Sequence, residues 1–362
     1  MPFDCVLTID PTYMHRCLQV ASLGEGQVAP NPMVGAVLVY NDQIIGEGYH
    51  KYFGGPHAEV ECINSVHPDH QYLIEKSVLY VSLEPCAHFG KTPPCASLII
   101  QKDIKQVVIG CRDPFEQVNG KGIEQLQAAG VEVKVGLLEE ECRHLNKRFF
   151  IFHQKKRPYV FLKWAQSADQ KIARSDKSRV LISNAYTNRL VHHWRSQYKA
   201  ILVGTNTALH DDPALTTRWW PGKHPLRLVV DLQLRLPASL QLFSDGLPTI
   251  VFNWHRHTIT ESGSKFNVIG VQYYRLSEGV SIIDQLVQAL YQMEIQSLMV
   301  EGGAQLLQSF LSPGCWDEAA VITNTGLVIG EGLFAPMLNQ ARATRTEVLY
   351  GDSIQCYQNL SN

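Results

Sequence analysis

The chain has no marked excess of charge of either sign, no long apolar run and no cysteines at disulfide spacing. Its 32 Lys and Arg residues nearly balance its 34 Asp and Glu residues, and the formal net charge is −2. This balance gives no general electrostatic reason to expect nucleic-acid binding. No apolar run reaches the roughly 18 residues of a membrane-spanning helix, and the N-terminus has no basic-then-apolar signal pattern. We therefore expect neither nucleic acid nor a membrane as a partner.

The cysteines argue against a disulfide-stabilised, secreted protein. There are nine of them, an odd number, and two lie in the motif described below. A reducing cytoplasm fits this usage better than an oxidising compartment. The remaining seven follow no framework of spacings: Cys5, Cys17, Cys62, Cys111, Cys142, Cys315 and Cys356.

What the chain does have is a stretch with closely spaced metal-binding side chains. It begins with His57-Ala58-Glu59, continues with Leu83-Glu84-Pro85-Cys86 and ends with Pro93-Pro94-Cys95. Catalytic zinc is usually held by three protein ligands with a fourth position left for water, whereas structural zinc is closed by four. One imidazole and two thiols therefore predict a catalytic zinc site on His57, Cys86 and Cys95.

Glu59 supplies the other group that the chemistry needs. Zinc lowers the pKa of water from ~15.7 to ~7, which makes hydroxide available at neutral pH. A carboxylate that does not bind the metal must take the water's proton and pass it to the leaving group. The order H-x-E followed by P-C and a second Cys is the signature of zinc deaminases. The stretch thus predicts hydrolytic deamination, with Glu59 as the catalytic acid and base.

The spacing departs from the general deaminase signature in one respect. Eight residues separate Cys86 from Cys95 where the general pattern has two. Pro93 and Pro94 suit the first turn of a helix, which would place Cys95 near a helix N-terminus where a thiolate is favoured. The loop also brings His88 and Lys91 beside the metal.

Several residues allow a second interpretation. His88 could close a structural site with four ligands, but Glu59 would then have no role. Glu84 could contact substrate or accept hydrogen bonds behind the metal ligands, and we favour the substrate contact. Cys62 fits a core residue better than a ligand. Asn31 could cap a turn between prolines or present its amide to a pyrimidine edge.

Length and periodicity predict two α/β domains. A chain of 362 residues corresponds to about two domains. Strands alternate with helices in both halves, which predicts α/β layers with ligands at the strand ends. His57 and Glu59 can share a pocket only if a helix begins there, because residues two apart in a helix point to different sides. We predict a first domain over residues 1–145, a linker over 146–157 and a second domain over 158–362.

The second half contains one further signal. A strand ending near Glu301 runs into Gly302-Gly303 and then a helix, an arrangement that can receive a phosphate on backbone N–H groups. Alone it is weak, because glycines after a strand more often form a simple turn.

The motifs of the first half resemble those of the bifunctional riboflavin-biosynthesis deaminase-reductase family. They include Pro30-Asn31-Pro32, the run Gly46 to His50, and His57-Ala58-Glu59. The run from Leu83 to Cys95 has the long loop that this family carries. The resemblance implies a cytidine-deaminase-like three-layer domain that removes an amino group from a diaminopyrimidinone bearing a ribosylamine 5′-phosphate. It also implies a substrate pocket lined by Asn31, Glu84, His88 and Lys91.

The second half resembles the reductase of the same family, an α/β domain similar to dihydrofolate reductase. The resemblance implies that NADPH reduces the ribosyl group to ribityl and that substrates are small pyrimidine ribotides. The expected assembly is a homodimer or a larger homo-oligomer. Residues implied to touch the nucleotide are Ala165, Thr207, Asp211, Gly302 and Gly303, and residues implied to hold the substrate are Arg195, Leu215, Arg218 and Glu301.

The second half departs from the family pattern at three places. Gln170 stands where the family has a glycine, and Gln lacks the freedom of glycine at positive φ. Leu181 stands near an expected Trp, and residues 325–330 replace a Pro-Lys-Leu-Leu-Gly motif. A second hypothesis therefore keeps the deaminase and makes the C-terminal domain an inactive module for dimerisation or substrate holding. A third makes the zinc structural and the protein a binding module, and a fourth, deamination of a nucleic acid, lacks a basic path for the strand.

Overall fold

The structure is a computed structural model that describes residues 9–87, 93–176, 178–259 and 268–361. The chain divides into two compact units, with the boundary between Lys155 and Lys156. Within the described ranges, every helix is too short or too polar to cross a membrane.

The first unit is a mixed five-stranded sheet with helices on both faces. The strand order is β2-β1-β3-β4-β5. β1 pairs antiparallel with β2 and β3, and β3, β4 and β5 run parallel. The strands are β1 Gly35–Tyr40, β2 Gln43–Tyr49, β3 Val78–Leu83, β4 Gln106–Cys111 and β5 Glu132–Val135. The helices are α1 Pro11–Ser22, α2 Ala58–Asn64, α3 Cys95–Gln101, α4 Lys121–Ala128, α5 Glu139–Leu145 and α6 Lys147–Lys155, with a 3₁₀ helix over Pro68–Lys76.

Alternation along β1 explains the two helical layers. Successive side chains of a strand point to opposite faces, so an apolar strand with few polar residues must be covered on both sides. Ala36 and Leu38 pack with residues of α2, α3 and α4. Val37 and Val39 pack with residues of α1, α5 and α6. The prediction of a three-layer first domain is confirmed.

The second unit is built on a nine-stranded sheet. Its order is β11-β10-β9-β8-β12-β6-β13-β16-β15. The sheet is parallel from β11 to β13, and β16 and β15 continue it antiparallel. The main-sheet strands are β6 Tyr159–Ser167, β8 Ala200–Gly204, β9 Leu226–Val230, β10 Thr249–Asn253, β11 Val271–Arg275, β12 Ser297–Val300, β13 Glu318–Asn324, β15 Ala341–Leu349 and β16 Asp352–Asn359, while β7 Lys171–Arg174 pairs with β14 Gly332–Phe334.

Helices cover both faces of this sheet as well. They are α7 Ala185–Gln197, α8 Thr205–Asp211, α9 Gln241–Ser244, α10 Ile282–Gln292 and α11 Ala304–Leu311. Leu202 and Leu228 pack with residues of α10 and α11, whereas Ile201 and Val229 pack with residues of α8 and α9. Several residues that follow parallel strands in this unit are thereby held at one edge of the sheet, where ligands of α/β folds bind.

The segment predicted as a linker contains regular structure. Residues 147–155 form α6, and Phe149 and Phe150 are buried in a cluster with Tyr80 and Val108 of the first unit. The aromatic side chains in this segment therefore contribute to a core.

Candidate active sites

The first unit brings three metal-binding side chains to one point. His57 precedes α2 as its N-cap, Cys95 is the first residue of α3, and Cys86 follows β3. His57 Nδ1 lies 3.5 Å from Cys86 Sγ and 3.3 Å from Cys95 Sγ. All three ligand atoms lie within 4.8 Å of one another. The two prolines before Cys95 precede α3, with Pro94 as its N-cap.

This donor set fits zinc. Zinc binds Cys sulfur at about 2.3 Å and His nitrogen at about 2.1 Å, so two ligand atoms of a tetrahedral site lie about 3.6 Å apart. The His57-to-sulfur distances are close to that value. The neighbouring groups also favour thiolate at Cys86, because hydrogen bonds from Cys95 and His57 outweigh burial and lower its pKa to about 4.

Glu59 lies in the first turn of α2, next to this centre. The helix begins at Ala58, directly after His57, so the condition for a shared pocket is met. The Glu59 side chain is buried, with 3% exposed. Burial raises the pKa of its carboxyl group, and the nearby His57 opposes that rise.

The Asn31 side chain is held by His50, which was not among the residues predicted for the site. Its amide nitrogen lies 3.1 Å from Nε2 of His50, and Nδ1 of His50 lies 2.8 Å from the carbonyl oxygen of Pro56. A carbonyl can only accept, so His50 donates from Nδ1 and accepts from Asn31 at Nε2. The His50 ring also meets the His57 ring edge-on, with 5.5 Å between centroids. The signal was available, since His50 ends the motif that starts at Gly46.

The arrangement of Glu84 does not fit the predicted substrate contact. The side chain is 4% exposed. One carboxylate oxygen accepts from the backbone N–H groups of Asp113 and Gly120, at 3.2 and 3.0 Å. The other accepts from those of Gly122 and Ile123, at 3.0 and 3.4 Å. Because four backbone donors already engage both oxygens, we correct the prediction: Glu84 binds the start of α4.

The other predictions for this site have different outcomes. Cys62 is fully buried in the apolar cluster of α2, α3 and α4, and burial raises the pKa of its thiol. It is a core residue. His88 and Lys91 lie outside the described residues, so their substrate contacts stay predictions.

In the second unit, the predicted residues Arg195 and Glu301 form a buried ion-pair group together with Lys163. Arg195 of α7 binds Glu301 through two nitrogens, at 2.7 and 3.0 Å, and Lys163 of β6 lies 3.4 Å from the same carboxylate. Burial alone would raise the pKa of Glu301, but Arg195 and Lys163 hold it at about 2. Arg195 also donates to the carbonyl oxygen of Thr216, at 3.1 Å.

Leu215 and Arg218 flank this group in different ways. The Leu215 side chain is buried with α8 and α9, and its backbone has a positive φ of 52°. Any ligand contact from Leu215 must therefore come from its backbone. Arg218 is exposed and lies over the Trp219 ring, 4.8 Å from the centroid. The partial desolvation of its guanidinium group and the neighbouring positive charge of Arg195 lower its pKa.

The predicted nucleotide contacts lie on or after three parallel strands. Ala165 is on β6, Thr207 and Asp211 are in α8, and the two glycines follow β12. Gly303 is the N-cap of α11, and a Cβ added there would lie 3.3 Å from the Thr207 hydroxyl oxygen. A Cβ at Gly302 would lie 2.8 Å from a Leu306 side-chain carbon. At Gly302 and Gly303, the backbone itself therefore forms the surface before α11.

The departures from the family pattern are accommodated in the structure. Gln170 adopts a left-handed φ of 59° in the turn between β6 and β7. Asp169 accepts from the backbone N–H groups of Ile329 and Gly330, at 3.0 and 2.8 Å, so the altered late segment remains anchored. Leu181 is 77% exposed.

Family comparisons divide the chain in the same order as the structure. Residues 7–111 match the family described as the cytidine and deoxycytidylate deaminase zinc-binding region. Residues 158–349 match the family described as the RibD C-terminal domain. This second match favours an intact reductase over the hypothesis of an inactive C-terminal module.

Whole-chain relatives have both regions. The riboflavin biosynthesis protein RibD of Aquifex aeolicus is 41% identical over 327 residues, covering 90% of this chain and 89% of the relative. RibD of Escherichia coli is 34% identical, covering 86% of each. The crystal structure of a diaminohydroxyphosphoribosylaminopyrimidine deaminase/5-amino-6-(5-phosphoribosylamino)uracil reductase from Thermotoga maritima is similar with a TM-score of 0.84 and 35% identity, over 96% of this chain and 98% of that one. The structure of RibD from Acinetobacter baumannii is similar with a TM-score of 0.83 and 29% identity, over the same shares of the two chains.

Proposed function

Since the chain belongs to the RibD family of riboflavin biosynthesis proteins, we propose that His57, Cys86 and Cys95 hold its catalytic zinc and that Glu59 moves the protons. The protein is a two-domain enzyme of riboflavin biosynthesis, a zinc-dependent deaminase followed by an NADPH-dependent reductase of the dihydrofolate-reductase-like fold. The observation that carries the residue assignment is the convergence of three ligand atoms within 4.8 Å, beside a buried carboxyl group.

The deamination replaces an amino group by oxygen. Zinc, when bound, supplies the Lewis acidity that makes hydroxide available at neutral pH. Glu59 takes a proton from the attacking water and delivers it to the amino nitrogen, which leaves as ammonia. The products are the pyrimidinedione and ammonia, so one water is consumed for each amino group lost. Burial of Glu59 keeps its carboxyl group away from bulk solvent during both transfers.

The proposed substrate is the diaminopyrimidinone ribotide on which the Thermotoga relative acts. Asn31 would orient the pyrimidine: its amide nitrogen is engaged by His50, so its oxygen is the group that accepts from a ring or amino N–H. His88 and Lys91 would complete the pocket. Glu84 is not among the proposed substrate contacts, because both of its carboxylate oxygens accept hydrogen bonds from backbone N–H groups.

The reductase substrate would bind beside Glu301. Lys163 and Arg195 bind Glu301, and Arg218 lies close enough to Arg195 to feel its charge, so three positive charges accompany a single negative one. The surplus positive charge favours a ribose phosphate, with Arg218 as the exposed member. The backbone of Leu215 would add a polar contact.

NADPH would lie along the ends of β6, β8 and β12. Ala165, Thr207, Asp211, Gly302 and Gly303 would touch it, and the glycines would let the dinucleotide approach the backbone before α11. Hydride transfer then depends mainly on placing the nicotinamide against the carbon that accepts it.

We also propose that the chain works as a homo-oligomer in a reducing cytoplasm. Cys17, Cys62, Cys86, Cys95, Cys111, Cys142 and Cys315 are free thiols. Strand β15 lies at a sheet edge, and Val348 and Tyr350 are 74% and 72% exposed. Sedimentation at several concentrations should give multiples of the 40.7 kDa chain mass, and a monomer at all concentrations would contradict this.

Glu59→Gln tests the deaminase assignment. Loss of the proton carrier should lower the rate of ammonia release by about 10²- to 10⁴-fold. Zinc content and NADPH oxidation with the deaminated substrate should stay unchanged. The matched control is Glu61→Gln in the same helix, whose partner is Lys51 at the surface. Full ammonia release by Glu59→Gln at full zinc content would show that another group moves the protons.

A further inference from the structure

Glu84 lies between the zinc-binding thiol and the first turn of α4. It follows β3, and its own backbone N–H donates to the Cys111 carbonyl oxygen at the end of β4, at 3.0 Å. Two residues later comes Cys86, whose carbonyl oxygen accepts from the N–H of Ala96, at 3.1 Å. The segment that carries Cys86 is thus fixed to β4 on one side and to α3 on the other.

The side chain of Glu84 adds a third attachment. A buried carboxylate without partners would be very costly, and backbone N–H donors are partners that stabilise its charged form. Here four of them converge on its two oxygens, from Asp113, Gly120, Gly122 and Ile123. These donors lie in the connection from β4 to α4 and in the first turn of α4. A single side chain therefore joins that connection to the metal-binding segment.

Close backbone packing reinforces this attachment. A Cβ added at Gly122 would lie 1.9 Å from the carbonyl oxygen of Pro85 and 3.4 Å from Cγ of Glu84. Any larger residue at position 122 would therefore push α4 away from the backbone that precedes Cys86. Gly122 on α4 and Glu84 on the metal-binding segment thus both maintain the contact between these two parts of the chain.

From these contacts we infer that Glu84 is a positioning residue, which fixes the Cys86 thiolate for zinc through the backbone of residues 84–86. The inference rests on the proposed zinc site. Groups behind metal ligands typically change metal affinity by about 10- to 100-fold when they are removed. Glu84 acts through the polypeptide chain rather than through a hydrogen bond to a ligand.

The variant Glu84→Gln separates this role from a substrate contact. Gln keeps the size of the side chain but turns an NH₂ group toward two of the four backbone donors. The zinc dissociation constant, measured by competition with a chelator, should rise about 10-fold or more. With zinc at saturation, the KM of deamination should stay within about twofold of wild type. An unchanged zinc affinity overturns the inference, whether or not KM rises.

Two further variants complete the design. Glu124→Gln is the matched control, because Glu124 is exposed on the same helix, and its zinc affinity should equal that of wild type. Gly122→Ala disturbs the same contact from the side of α4, because its Cβ would collide with the Pro85 carbonyl oxygen. Like Glu84→Gln, it should raise the zinc dissociation constant. Normal zinc affinity in a folded Gly122→Ala protein counts against the inference.

A measurement on the unaltered protein covers the case in which the variants do not fold. Coupling between two sites is reciprocal, so if this attachment raises zinc affinity, zinc must stabilise the attachment. Chelation of zinc should therefore increase hydrogen exchange at the amides of Gly120 and Gly122. Equal exchange with and without zinc overturns the inference. Failure of the unaltered protein to bind zinc would instead overturn the proposed function.

Discussion

Single residues show both the strength and the limit of sequence patterns. His57, Cys86 and Cys95 could be selected from the sequence because only a few side chains bind zinc, and the structure brings the three together. Glu84 stands in the same motif, and its role could not be found there. Its partners are backbone N–H groups up to 39 residues away, which carry no side-chain signature.

Glu301 carries a prediction at this scale. Glu301→Gln leaves Lys163 and Arg195 buried without their anion. Removal of one partner from a buried ion pair typically costs about 3–5 kcal/mol. Chemical denaturation at pH 7, followed through the second unit, should show a loss of that order. Glu278→Gln, at an exposed position, should change stability by less than about 0.5 kcal/mol.

The same carboxyl group gives a pH dependence of known sign. Arg195 and Lys163 hold its pKa at about 2 in the folded protein, below the ordinary value of 4.5 for a glutamate. A lowered acid pKa contributes stability that is complete above about pH 4.5 and is lost as the pH falls toward 2. The difference between wild type and Glu301→Gln should therefore shrink as the pH falls from 5 to 2. A constant difference over that range would show that the ion pair is not its cause.

The ends of helices can be predicted from the sequence where a local signal, such as a capping side chain, marks them. Asp10 caps α1 by accepting from Thr12, and Asn184 caps α7 by accepting from Tyr186 and Thr187. The start of α2 directly after His57 could only be stated as a condition, because spacing allows other starts. The turn between β6 and β7 was less predictable, since Gln170 adopts a conformation that its residue type disfavours.

That turn yields the prediction for this scale. A left-handed conformation costs a residue with a side chain roughly 1–2 kcal/mol, whereas glycine adopts it freely. Gln170→Gly should therefore raise the free energy of unfolding of the second unit by about 1 kcal/mol, after allowance for the larger entropy of glycine in the unfolded chain. The midpoint of urea denaturation measures it. Gln170→Ala retains the strain and should stay near wild type, while a less stable glycine variant would show that the Gln170 side chain makes a compensating contact.

At the scale of the whole molecule, the number and class of domains could be predicted, but the strand order could not. The alternation of strands and helices and the chain length indicated two α/β domains, and the structure has two compact units. The position of β12 between β8 and β6 depends on contacts between residues about 100 to 140 positions apart. No local pattern encodes such a pairing.

Two units with separate ligands should respond separately to ligand removal. Because zinc binds the folded first unit, its binding free energy stabilises that unit. A chelator should therefore lower the thermal midpoint of one calorimetric transition. NADPH should raise the thermal midpoint of the other transition. At 100 times its dissociation constant, it should stabilise the second unit by about 2.7 kcal/mol. Cys86→Ser, which removes one of the three proposed zinc ligands, should respond much less to the chelator. A chelator effect of equal size on both transitions would argue against independent units.

The junction of α5 and α6 has a consequence for where the molecule can be divided. Asn146 accepts from the N–H of Met33 and donates to its carbonyl oxygen, both at 2.8 Å, as a neighbouring strand would. This side chain thereby ties down the short segment that presents Asn31. A natural split or a laboratory excision after residue 145 would remove these two hydrogen bonds together with the buried Phe149 and Phe150 of α6. A cut after Lys155 would keep both, and with them the native conformation of the segment that contains Asn31.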